Sequence, residues 1–99
     1  MAERARLDAV AHGRVTGVGF RMHVADAARQ LKLVGWVANA SAGTVHCVAE
    51  GPRDDLERLL AALRSGPRGA VVDRVDESFS PATGAFPRFE IRSGWHPGD

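Results

Sequence analysis

Gly13-Arg14-Val15-Thr16-Gly17-Val18-Gly19-Phe20-Arg21 holds three glycines in its first seven residues, and the hydrophobic period changes across it. Before it, from Arg6 to His12, Leu7, Ala9 and Ala11 share one face while Asp8, Val10 and His12 share the other, the pattern of a strand. After it, Phe20, Val24, Ala27, Ala28 and Leu31 recur at helical spacing and predict a helix from about Phe20 to Lys32. The glycines between them mark a loop whose backbone needs positive φ or a close approach.

Beyond Gly35 the chain returns to strands. Trp36 to Asn39 and Thr44 to Glu50 read as two strands joined by the turn Ser41-Ala42-Gly43, close enough to form a hairpin. Val45, Cys47 and Ala49 are expected to face the core, with Thr44, His46 and Glu50 outward. Gly51-Pro52 ends that strand, and Pro52 suits the first turn of a second helix with Asp54 and Asp55 near its positive end. Leu56, Leu59, Leu60 and Leu63 form the stripe of that helix, which Ser65-Gly66-Pro67 stops. Ala70 to Phe79 reads as a fourth strand, Ser80 to Ala85 as a connection, and Phe86 to Arg92 as a last strand of unsettled register. Trp95 to Asp99 is a tail expected to be loosely held. The order strand, helix, strand, strand, helix, strand, with an extra C-terminal strand, is the βαββαβ arrangement of a ferredoxin-like α/β sandwich. That is an α+β fold, with two helices on one face of an antiparallel sheet. Residues 1–99 are expected to form a single domain, since 99 residues leave little room for a second.

Composition narrows the function by exclusion. The formal net charge is +1, so no strong field draws nucleic acid or an anionic membrane, and neither is expected as a partner. Of thirteen basic residues only Lys32 is a lysine, so composition cannot say which arginine matters. Cys47 is the only cysteine, which excludes an internal disulfide and a CxxC zinc pair. His12, His23, His46 and His96 are scattered without metal-ligand spacing, and no metal is expected. The opening residues MAERARLDA carry no apolar leader pattern, so a cytoplasmic, reducing location is the default.

Chemistry concentrates in the glycine loop. Residues without side chains let successive N–H groups converge on one concavity, a geometry that binds anions. The helix that follows adds unpaired N–H groups and its positive dipole end. Arg21, at the helix start, can grip two phosphate oxygens at once. The loop is not a Walker loop, which would need GK[ST]. On these grounds alone it either binds an anion or simply reverses the chain.

The same nine residues closely resemble the acylphosphatase signature, usually G-x-V-Q-G-V-G-F-R. Gly35-Trp36-Val37-Ala38-Asn39, followed by Gly43-Thr44-Val45, resembles that family's G-W-V-x-N-x-x-D-G-x-V. Ala49-Glu50-Gly51-Pro52 and Gly66-Pro67 match as well, and the likeness runs in order along the whole chain. The resemblance implies hydrolysis of acyl phosphates such as acetyl phosphate, carbamoyl phosphate and 1,3-bisphosphoglycerate, without metal or cofactor, by a chain expected to be a monomer. It places the family's catalytic arginine on Arg21 and its catalytic asparagine on Asn39. The phosphate cradle falls on the backbone of Val15, Thr16, Gly17, Val18, Gly19 and Phe20, together with Arg21. Three positions depart from the pattern: Thr16 stands for glutamine, Ala42 for aspartate or asparagine, and His23 where an aromatic is common. The alternative in another functional class is a non-catalytic ferredoxin-like module that binds an anion or small ligand.

Overall fold

The computed structural model describes residues 3–92. The expected tail at Trp95 to Asp99, and His96 with it, lies outside the described residues. Five strands and two helices follow in the order β1 (Arg4–Arg14), α1 (Phe20–Gln30), β2 (Val34–Asn39), β3 (Val45–Pro52), α2 (Arg53–Ser65), β4 (Val71–Pro81) and β5 (Phe89–Arg92). The sheet order is β4-β1-β3-β2-β5. The first four strands pair antiparallel, in the ferredoxin-like arrangement. The extra strand joins parallel to β2, from Gly35 opposite Phe89 to Ala38 opposite Arg92, so the complete sheet is mixed. Partner choice is not written in the alternation of one strand, which is why the pattern of β5 alone did not reveal this.

The core lies between the sheet and the helices. Leu7, Ala9 and Ala11 of β1 are fully buried, as are Val45, Cys47 and Ala49 of β3. Against them pack Phe20, Val24, Ala25 and Ala28 of α1 and Leu56, Leu59, Leu60 and Leu63 of α2. Each of those leucines contributes about 1.5–3 kcal/mol of burial. Helix α1 stops at Gln30, short of the expected Lys32. Lys32 turns left-handed at φ 59, and the Leu33 N–H reaches back to the Ala28 carbonyl at 2.9 Å, closing a Schellman-type cap.

Two expectations need correction. Phe86 to Arg88 lie outside β5, which begins at Phe89. Its Phe89 is buried among the core residues, and Ile91 packs against the same cluster. Glu50, expected outward, is fully buried on the helix-free face of β3. The β4–β5 connection crosses that face and buries it. Glu50 Oε1 accepts from the N–H groups of Thr83 and Gly84, both at 2.9 Å, and Oε2 accepts from the Thr83 hydroxyl at 2.6 Å. Arg6 adds a contact at 3.8 Å. Burial pushes the Glu50 carboxyl up, but these donors and the Arg6 charge outweigh it and hold it below the usual carboxylate range.

Candidate active site

Strands β1 and β2 run parallel on either side of β3, so the loop after β1 and the end of β2 emerge at the same edge of the sheet. This topology brings the glycine loop and Asn39 together. A cleft of about 200 Å³ lies there, lined by Val15, Gly17, Gly19, Phe20, Arg21, Met22, Asn39 and Ile91.

The loop is anchored by apolar side chains and shaped by glycines. Val15 and Phe20, at its two ends, are buried at 1% and 2% exposure. Gly17 and Gly19 adopt φ 72 and φ 74, conformations that L side chains rarely take. Gly19 is also the N-cap of α1, and no side chain caps the helix. Among the described residues, none accepts a hydrogen bond from the backbone N–H groups of Thr16 to Met22. Unpaired donors on left-handed turns at a helix start favour an anion, which receives their hydrogen bonds and the helix dipole together.

Arg21 occupies the first turn of α1 and is half-buried. Its Nη1 donates to the Arg92 carbonyl at 2.6 Å, which ties the guanidinium to the end of β5. Among the described residues no carboxylate pairs with it, so its charge and remaining donors are open to a ligand in the cleft. Asn39 closes β2, where the Ala40 N–H to Thr44 carbonyl bond, at 2.8 Å, locks the hairpin. Asn39 also lines the cleft, and its side chain carries no hydrogen bond among the described residues.

Of the expected cradle, Val15, Gly17, Gly19 and Phe20 line the cleft, while Thr16 and Val18 belong to the loop without lining it. Backbone donors do not require a side chain in the lining. Two lining residues escaped the sequence reading. Met22 had a positional signal, its adjacency to Arg21. Ile91 had none, because only the pairing of β5 with β2 brings it there. His23 points elsewhere: its Nε2 lies 3.2 Å from the Ala62 carbonyl, a bridge to α2. Cys47 is fully buried and its thiol is pushed up to about 12 by desolvation, which removes it as a nucleophile.

A second cleft of about 230 Å³ lies at the opposite end of β1, lined by Glu3, Arg4, Ala5, Arg53, Phe79, Ser80 and Pro81. There the Arg53 guanidinium is stacked 3.6 Å from the Phe79 ring centroid, and its Nε donates to Glu57 at 3.3 Å. That cleft has no glycine loop, and the helix start beside it, also without a side-chain cap, carries Asp54 and Asp55 in its first turn, which disfavour an anion.

A family model described as Acylphosphatase matches residues 7–91. The chain is 48% identical over 87 residues to an acylphosphatase of Salinibacter ruber, covering 88% of this chain and 92% of that one. Among solved structures, an acylphosphatase from Bacillus subtilis superposes with a TM-score of 0.85 at 34% identity, over 89% of this chain and 98% of that one. Full-length HypF in its phosphate- and nucleotide-bound form superposes with a TM-score of 0.87 at 25% identity, over 99% of this chain and 13% of that one.

Proposed function

The chain belongs to the acylphosphatase family and is a hydrolase of acyl phosphates, and we propose that its cleft divides this reaction between a phosphate-holding part and a water-holding part. The observation that carries the proposal is one cleft lined by the loop glycines, Arg21 and Asn39.

An acyl phosphate has a carboxylate leaving group, which departs without a proton at neutral pH. The reaction therefore needs no strong general acid and no metal to stabilise an alkoxide. What it needs is alignment and charge stabilisation on the transferring phosphoryl group. The loop N–H groups and Arg21 hold the equatorial oxygens as charge redistributes. Asn39 offers one acceptor and two donors, enough to fix a water in line with the P–O bond that breaks. Water adds its oxygen to phosphorus, the carboxylate leaves with the bonding pair, and the water's proton passes to a substrate oxygen or to solvent. The products are a carboxylate and inorganic phosphate, with no covalent enzyme intermediate. This proposal also has the chain acting as a cytoplasmic monomer, which fits a lone cysteine held as a buried thiol.

Hydrolysis of benzoyl phosphate in the presence of EDTA tests it. The expected result is turnover undiminished by the chelator, with inorganic phosphate a competitive inhibitor. Loss of activity with EDTA would contradict the metal-free reading. Phosphate binding without turnover would favour a non-catalytic anion-binding module.

A further inference from the structure

The phosphate-holding part accounts for one half of the substrate, and the cleft's remaining lining bears on the other. Around the loop donors, Arg21 and Asn39, the lining is apolar, and its two outer members are Met22 and Ile91. Val15 and Phe20 are already buried, so they form the floor rather than a surface for a ligand. Met22 is 54% exposed, one of two large hydrophobic side chains left so open among the described residues. It follows Arg21 directly in the first turn of α1, beside the unpaired N–H groups. Ile91 lines the same cleft from β5 and is half-buried.

Charge in this cleft is equally one-sided. Arg21 is the only cationic side chain in the lining. Arg92, next to Ile91, alternates to the other face of β5 and lies over the Trp36 ring, 4.8 Å from its centroid. Once Arg21 is engaged by the phosphoryl oxygens, no described cation of the lining remains for a second anionic group on the substrate. An acyl chain leaving the cradle meets a thioether and a branched alkyl group instead.

We infer that Met22 and Ile91 are specificity-determining residues that favour an uncharged, apolar acyl group over one carrying a second negative charge. The inference rests on the proposed placement of the phosphoryl group at the loop and Arg21. A flexible, polarisable methionine can fold over an aromatic or alkyl acyl group and bury part of its own exposed surface in doing so.

The test compares kcat/KM for benzoyl phosphate, acetyl phosphate and succinyl phosphate, the last bearing a distal carboxylate. Ratios between substrates are compared across variants, so intrinsic leaving-group differences cancel. Met22→Ala should lower the benzoyl-to-acetyl ratio about tenfold, and Met22→Leu should keep it within about twofold. Met22→Lys should raise the succinyl-to-acetyl ratio about tenfold by supplying the missing cation. Met22 is exposed, so these variants are expected to fold. Unchanged ratios in both Met22→Ala and Met22→Lys, with all three substrates still turned over, would overturn this inference and leave the proposed function standing. No turnover of any acyl phosphate by the unaltered chain would overturn the proposed function, and this inference with it.

Discussion

Ala42 is held at φ 61 and ψ 25 in the turn between β2 and β3, a left-handed conformation that costs an alanine about 1–2 kcal/mol. The resemblance places aspartate or asparagine here, residues whose short polar side chains tolerate that conformation. The departure was legible in the sequence, but its backbone consequence was not, since φ depends on how the hairpin closes. The expected outcome of Ala42→Asn is a gain of about 1 kcal/mol in the free energy of unfolding, read from urea denaturation at unchanged m-value. Equal or lower stability would mean the turn carries no such strain. At this scale Arg21 and Asn39 were both legible, through the motifs that contain them. Met22 carried only the signal of its adjacency to Arg21, and Ile91 carried none, because an apolar residue at a cleft rim looks like any other apolar residue in a linear sequence.

At the scale of elements, the switch from strand to helix period across the glycine loop located β1 and α1 to within two residues at their shared boundary. The leucine stripe of α2 was equally clear. Less legible was β5, whose four residues are too short for a firm pattern and whose parallel partner, β2, lies some fifty residues earlier in the chain. The β4–β5 connection is held by Glu50, and its partners Thr83 and Gly84 are too distant in sequence for local alternation to reveal them. Hence a residue in an outward register turned out to be buried. Glu50→Gln keeps an acceptor for the Thr83 and Gly84 N–H groups but puts an NH2 donor beside the Thr83 hydroxyl and removes the charge that faces Arg6. It should lower stability by about 2 kcal/mol. The pH dependence follows from the lowered Glu50 carboxyl. Its stabilisation is present above the ordinary glutamate range and is lost as pH falls through the lower folded-state value. Unfolding free energy measured against pH should therefore fall through the acid range in the unaltered chain and fall less steeply in Glu50→Gln. Parallel curves would contradict the role given to this carboxylate.

At the scale of the whole molecule, the cleft exists only because three distant segments meet at one edge of the sheet. The β1–α1 loop supplies unpaired N–H groups, the end of β2 supplies Asn39, and β5 supplies Ile91 and the carbonyl that ties down Arg21. Helices α1 and α2 hold the sheet from one face, and the Glu50-anchored connection covers part of the other. The fold class was readable from the order of elements, while the parallel addition of β5 needed tertiary structure.

The central claim is the division of labour between Arg21 and Asn39, and one paired measurement tests it most directly. The inhibition constant of inorganic phosphate and kcat for benzoyl phosphate are determined side by side for Arg21→Ala and Asn39→Ala. Arg21→Ala should weaken phosphate at least about tenfold as well as lowering turnover. Asn39→Ala should lower kcat about a hundredfold while leaving phosphate inhibition within about twofold. An Asn39→Ala variant that loosens phosphate as much as Arg21→Ala does, with kcat preserved, would contradict the account.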